Sequence, residues 1–420
     1  MFVDCRQARR RRQLNFMSPR MESIESYDVV ILGGGPAGAA TALSLRSHAP
    51  DLSVALIEQS NYQTTRIGET LPPAVQPLLE RIGVWQTFLA EDHLPAYGTC
   101  AAWGSDALHE NEFFFQPAQR GWHLDRRRFD AMLAREAVNR GVVLYRDWKF
   151  LDSHLDGSKK FRLTIAGNGG QRKLIDAAFV VDATGRPAAF AAHQGVQKSF
   201  EDRLLAVFMF FQFDPADEFT ETYTLVEACE QGWWYSALLP DGKLAVGFMS
   251  DSDIIKSRRL ISFRVWLDLL ETTRHTRKRV TNAQPVGAPV TYPASSRRLA
   301  QTAGNGWLAV GDAATTFDPL SSAGIMKGLR SGVLASYAIG DFFKGNTSGL
   351  EKYEALLKRE FENYLATRAD YYGREKRWAN SVFWQRRHEQ ILVEPDQMIQ
   401  STVQFSHEPG NDVGTGACSG

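Results

Sequence analysis

From Tyr27 to Leu32 the chain is β-branched and apolar, and it breaks off at Gly33, which predicts a short buried strand. Pro36 to Leu45 is a run of small residues with helical spacing, and a second apolar run, Leu52 to Ile57, closes on Glu58. Strand, glycine turn, helix and strand in that order make a βαβ unit of a parallel sheet. Asp125 to Asn139 carries apolar residues at helical spacing through Phe129, Leu133 and Ala137, and a strand is expected at Val142 to Tyr145. Further strands are expected at Ala178 to Val181 and Trp307 to Val310. Between about 200 and 250 the pattern changes to longer, aromatic-rich strands at Leu204 to Phe213, Thr222 to Glu227, Trp233 to Leu239 and Lys243 to Met249. The turn Pro240-Asp241-Gly242 between the last two favours an antiparallel sheet.

The expectation is therefore an α/β fold with a discontinuous nucleotide-binding domain at 26–95, 120–195 and 285–345. An antiparallel-sheet substrate domain at 96–119 and 196–284 interrupts it. A helical segment at 346–404 follows, between a flexible extension at 1–25 and a disordered tail at 405–420. Tyr371, Tyr372, Trp378, Phe383 and Trp384 in the C-terminal helical part either dock a protein partner or pack against the nucleotide-binding domain.

Lysine plus arginine and aspartate plus glutamate both total 48, so no global field favours nucleic acid or an anionic membrane. Cys5, Cys100, Cys229 and Cys418 are scattered without C-x-x-C spacing or a histidine cluster, which argues against a disulfide scaffold or a metal site and fits a reducing cytoplasm. Arg9 to Arg12 looks superficially like a targeting segment, but no apolar stretch follows it, and no later run is long enough to span a membrane.

Gly33-x-Gly35-x-x-Gly38 follows the first strand and opens a helix through Pro36 and Ala37, so a pyrophosphate can approach the helix N-terminus closely. Glu58, twenty residues beyond Gly38, is placed to bond a ribose hydroxyl. Two more apolar strands end in small-residue turns, at Asp182-Ala183-Thr184-Gly185 and at Gly311-Asp312-Ala313-Ala314. Asp312 is either a ribityl ligand or a helix cap.

These three motifs, in this order, resemble the FAD-dependent aromatic monooxygenase superfamily, typified by p-hydroxybenzoate hydroxylase and including flavin-dependent halogenases. The resemblance covers roughly residues 26–370. It implies that Glu58 binds the adenosine ribose, that Arg126 of Leu124-Asp125-Arg126 lies near the FAD and that Asp312 contacts the ribitol. It also implies that Phe317 to Ile325, with Pro319, Ser322, Gly324 and Ile325, passes one side of the isoalloxazine ring. The Ile67 to Pro73 loop, with Gly68 and Glu69, would cover the other. Dioxygen and NAD(P)H are the implied co-reactants. The Asp182 to Gly185 motif departs from the fingerprint of enzymes that bind NADPH themselves, which points to a separate flavin reductase.

Within that superfamily the halogenase lysine falls on Gly98 to Gly104, where no lysine occurs, and the W-x-W-x-I-P signature is altered at Trp233-Trp234-Tyr235. Both departures favour oxygen transfer from a flavin hydroperoxide over halogenation. The Gly68 to Pro73 loop and the His93 to Gly104 and Trp233 to Pro240 stretches resemble flavoproteins that mature quinone cofactors by acting on a tryptophan of a partner protein. The substrate is thus expected to be an aromatic small molecule or a tryptophan-bearing protein or peptide. Trp103, Phe113 to Phe115, Trp122, His123, Phe208, Phe210, Trp233, Trp234 and Tyr235 are candidate pocket residues. Catalytic roles fall to His123, Trp234 and Tyr235. Halogenation, an FAD-dependent reductase or oxidase acting on a lipid-like substrate, and a non-catalytic binder are the competing readings.

Overall fold

The computed structural model describes residues 24–389 except 65, 114–119, 158 and 215–220, so Phe114, Phe115, the extension before 24 and the tail lie outside the described residues. A central sheet places the parallel strands Trp307–Ala309, Arg172–Asp182, Glu25–Leu32, Val54–Glu58 and Val143–Arg146 side by side. The inner three carry buried apolar runs at 179–181, 29–32 and 54–57, where both faces are covered. Helix Pro36–His48 packs on helix Gly324–Phe343 at very short range: a Cβ on Gly332 would lie 2.4 Å from the Ala37 carbonyl oxygen.

The expected strands and helices are present, with ends shifted by a few residues. Asp125 is the cap of helix Arg126–Asn139 and not its first residue, because its side chain accepts from the Arg127 and Arg128 amides. The sequence reading missed strands Trp148–Leu155 and Phe161–Gly167, an antiparallel extension on Arg172–Asp182.

The second sheet has seven strands, in the order Ala283–Pro293, Leu204–Phe213, Lys243–Asp251, Gly232–Leu238, Thr224–Cys229, Gly98–Ala102 and His109–Glu112. The first of these corrects the expected return to the nucleotide-binding part at 285. Pro285 and Pro289 do not bar the stretch from pairing, because it is an edge strand, where proline is tolerated. Alternation sorts the aromatic residues between two faces. Val207, Met209, Trp234 and Phe248 meet Trp266 of helix Phe263–Glu271 on one face, while Phe208, Trp233, Tyr235 and Met249 occupy the other.

Helix Ser348–Arg374 and helix Val382–Glu389 close over that second face, burying Tyr372, Phe383 and Trp384 against it. The Trp233 indole donates to the Tyr372 hydroxyl at 3.0 Å. These three aromatics therefore serve packing within the chain, whereas Tyr371 stays 48% exposed. Among the described residues no helix is long and apolar enough to cross a membrane, and no cluster of residues suited to holding a metal ion is present.

Candidate functional site

A cleft of about 680 Å³ runs along the C-terminal ends of the parallel strands and continues under the cleft-facing side of the seven-stranded sheet. At its start, Gly33 has a φ of +113°, and a Cβ there would sit 2.1 Å from the Ala183 carbonyl oxygen, so only glycine allows the turn. Gly38 faces away from the cleft and lets the helix settle on Gly33. Gly33, Gly35, Pro36 and Ala37 line the cleft, and the first turn of their helix contains no acid, which suits an anionic group at its amide end.

Glu58 is buried at the end of its strand, where it accepts from the Gly34 amide at 2.7 Å and from the Arg66 guanidinium at 3.1 Å. Arg66 also bonds Asp130 at 2.7 Å, and Arg126 meets the same carboxylate at 3.1 and 3.2 Å while donating to the Ile67 carbonyl at 2.8 Å. Asp130 is fully buried and draws both arginines against the loop that carries Gly68 and Glu69. The sequence reading missed Arg66 and Asp130, although Asp130 stands one helical turn from Arg126.

Gly185, Gly311 and Asp312 line the middle of the cleft. The Asp312 carboxylate is 39% exposed and accepts from the buried ammonium of Lys327 at 2.9 Å, a partner that the sequence reading also missed. Removal from bulk water would raise the Asp312 carboxyl, but Lys327, Arg186 and Arg297 outweigh this and hold it below its ordinary range. Asp182, by contrast, does not reach the cleft. It is fully buried and accepts from Thr184 and from the Ala191 amide, clamping the turn.

At the far end, Glu69, Phe208, Tyr235, Met249 and Tyr292 face Pro319, Ser322, Gly324 and Ile325. Asp318 anchors this second loop by accepting from the Tyr372 hydroxyl at 2.8 Å and the Leu320 amide at 2.9 Å. Phe208 packs edge-on against both Tyr235 and Tyr292, with centroids 6.0 Å apart in each pair. Phe210 opens onto a smaller cavity of about 190 Å³ beside Glu69.

Of the three expected catalytic residues, only Tyr235 reaches the cleft. Trp234 is on the opposite face of its strand, buried against Trp266 with ring centroids 5.0 Å apart. His123 is fully buried in the middle strand of a small sheet, Thr70–Leu71, Gly121–His123 and Leu94–Ala96, and touches the cleft only through other side chains. Burial, with a smaller contribution from Arg279, pushes its imidazole down to about 4, so it is neutral at neutral pH. Trp103, Trp122 and Trp233 likewise pack in cores away from the cleft.

A carboxylate at the end of the second strand, an amide-lined anion site, a mid-cleft carboxylate and an aromatic far end suit in turn the ribose, diphosphate, ribitol and ring of a flavin dinucleotide, with a cationic pair beside them. The residues present thus fit FAD.

The family model described as tryptophan halogenase matches residues 28–96 and 94–414. A putative FAD-dependent oxidoreductase, LodB, of Marinomonas mediterranea is 32% identical over 373 residues, which cover 87% of this chain and 98% of that protein. Among solved structures, the myxobacterial chondrochloren halogenase CndH has a TM-score of 0.77 at 22% identity, covering 86% of each chain. The peptidyl tryptophan dihydroxylase QhpG, essential for tryptophylquinone cofactor biogenesis, has a TM-score of 0.65 at 23% identity, covering 86% of this chain and 78% of that one. At those identities the two structures speak for the fold alone. By the family model and by the LodB match, the chain belongs to the tryptophan halogenase family and is an FAD-dependent enzyme.

Proposed function

We propose that this enzyme hydroxylates an electron-rich aromatic ring, an indole in the first instance, and that the indole is borne by a tryptophan of a partner protein. The observation that carries the reading is the composition of the cleft's far end. Phe208, Tyr235, Tyr292 and Met249 form an apolar, aromatic enclosure there, and the one lysine among the described lining residues, Lys149, stands on strand Trp148–Leu155 near the other end. Among the described lining residues no ammonium is placed at the enclosure to capture an oxidised halide, whereas Phe208, Tyr235 and Tyr292 offer an indole ring faces and edges. The peptidyl tryptophan chemistry named for QhpG, and the naming of LodB as an oxidoreductase, support the same choice.

In this reading the backbone amides of Gly35 and Ala37 hold the diphosphate, Glu58 the adenosine ribose and Asp312 the ribitol. Arg126, tied to Asp130, fixes the Gly68 and Glu69 loop on one side of the isoalloxazine ring, and Pro319 to Ile325 forms the other side. Reduced FAD with dioxygen supplies the oxidising equivalent, with electrons brought from NAD(P)H by a separate reductase. The protein's part is to orient the indole and exclude water.

Halogenation is the second reading, favoured by the family itself. Reduced holoenzyme, an indole-bearing peptide and oxygen, with and without chloride or bromide, separate the two. A gain of one or two oxygen masses independent of halide supports hydroxylation, and a halide-dependent mass gain refutes it.

A further inference from the structure

A continuous line of side-chain hydrogen bonds leads from the far end of the cleft into the protein interior. The Tyr235 hydroxyl is 3.2 Å from Glu69 Oε2 and 3.0 Å from Thr70 Oγ1. Thr70 Oγ1 is 2.8 Å from Thr224 Oγ1, which is 3.0 Å from His123 Nε2. The line ties three elements that are far apart in sequence: the Gly68 loop, the seven-stranded sheet and the small sheet holding His123. All five residues are buried, Glu69 at 3% and Tyr235 at 8% exposure, yet Glu69, Thr70 and Tyr235 line the cleft. A packed core has no need of a carboxyl group at an apolar enclosure, and burying one is costly unless it is held and used.

We propose that Glu69 is the acid and base of the reaction, and that Tyr235, Thr70, Thr224 and His123 form a reversible hydrogen-bond line that holds its carboxyl in either protonation state. The proposal rests on the hydroxylation reading above. Hydroxylation of an aromatic carbon places one oxygen of dioxygen on the ring and releases the other as water, with two electrons from the reduced flavin. The departing oxygen takes up a proton, and the ring carbon that gains oxygen loses one. A single carboxyl within reach of both atoms would give the first proton and recover the second, so that it would end each turnover as it began.

The line suits both states. With Glu69 ionised, every donor points toward it: His123 Nε2–H to Thr224, Thr224 to Thr70, Thr70 to Tyr235 and Tyr235 to the carboxylate. With Glu69 protonated the hydroxyls turn the other way and His123 Nε2 becomes the final acceptor, the neutral imidazole then carrying its proton on Nδ1. Neutral imidazole is required for this, and burial keeps His123 neutral. Burial also raises the Glu69 carboxyl above its ordinary range, against backbone hydrogen bonds, the Tyr235 hydroxyl and Arg126. The other groups facing the line are Tyr292 across the enclosure, Arg279 beside Tyr235 and His123, and Arg66, Asp125, Arg127, Asp241 and Lys243 around the smaller cavity.

The test compares Glu69→Gln, Tyr235→Phe, Thr224→Val and Thr224→Ser holoenzymes by two readouts: the pH dependence of kcat on an indole-bearing peptide and the pH dependence of the bound flavin's visible absorption. In the parent enzyme kcat falls as pH rises through the Glu69 ionisation. Glu69→Gln abolishes that limb and lowers kcat about 10²-fold or more. Tyr235→Phe removes a donor to the carboxylate and moves the limb up by about one pH unit. Thr224→Val moves it less in the same direction, and Thr224→Ser restores it. The absorption titration reports the same ionisation without turnover, so failure of the peptide as a substrate leaves Glu69 still measured. A limb and a spectral transition that persist in Glu69→Gln, or that stay fixed in Tyr235→Phe and Thr224→Val, overturn the proposal.

Discussion

Replacing Asp130 by alanine removes the one carboxylate that both cleft arginines share. Three charged hydrogen bonds disappear, at 2.7, 3.1 and 3.2 Å, from a group with no solvent exposure. The guanidiniums do not lose every partner. Arg66 keeps Glu58 at 3.1 Å and the Ser60 hydroxyl at 2.7 Å, and Arg126 keeps the Ile67 carbonyl at 2.8 Å. The side chains of Arg66 and Arg126 are also 27% and 12% exposed, so water recovers part of their solvation. The cost therefore lies at the low end of that for breaking a buried pair, about 3 kcal/mol of folding stability.

The same loss frees the Gly68 and Glu69 loop from helix Arg126–Asn139, and FAD must then reorder it on binding. If half of that cost, about 1.5 kcal/mol, recurs in binding, FAD affinity falls slightly more than about tenfold. Titrating apoprotein with FAD by flavin fluorescence, alongside urea unfolding with and without FAD, measures both quantities. Asp130→Asn keeps an acceptor of the same size and is expected to fall between the parent and the alanine variant. If Asp130→Ala unfolds more readily but binds FAD with parental affinity, the arginine pair is a fold element, and its assignment to the cofactor site is wrong.

Two further substitutions test placements that the structure corrected or revealed. Trp234→Phe removes volume from the core against Trp266 and Phe248, on the face away from the cleft, so stability should fall by about 1–3 kcal/mol in urea unfolding while the KM for substrate stays unchanged; a large rise in KM would return this indole to the site. His93, at 4% exposure, has no hydrogen-bond partner for either ring nitrogen, and burial, aided by Arg128, pushes it down to about 4. The unfolded chain takes up its proton near 6.5, so this contribution is fully present above that pH and is lost as pH falls through 4. Between those two values the slope is at most about 1.4 kcal/mol per pH unit, the limit for one proton. His93→Leu should flatten the acid limb of the stability profile measured by urea unfolding, and an unchanged limb would refute the assignment.

What the sequence made legible follows the range of the interactions involved. The glycine turn, Glu58 and Asp312 are encoded within single strand–turn–helix units, where local sterics leave few alternatives; spacing singled out the first two, and only the resemblance carried by the three motifs together singled out Asp312. The adjacent pair Trp234 and Tyr235 shows where that legibility stops. Alternation guarantees that the two point to opposite faces, but only the packing of helix Phe263–Glu271 decides which face is the core. Lys327 shows a related failure, since a lysine in a helix reads as a solvated position until Asp312, fifteen residues away, is seen to receive it. The Glu69 line was the least readable of all. Thr70 and Thr224 meet across 154 residues of sequence, and neither threonine carries any local sign of a partner. Its logic is tertiary: a carboxyl enters an apolar enclosure, hydroxyls from two sheets are the nearest groups able both to donate and to accept, and a neutral imidazole ends the line without adding a charge. A site built this way tolerates little drift in how the sheets dock, because a displacement of one ångström between them would open the Thr70 to Thr224 contact beyond hydrogen-bonding distance. The aromatic packing that fixes the seven-stranded sheet against the C-terminal helices is therefore part of the chemistry, even though none of the residues of helix Ser348–Arg374 lines the cleft.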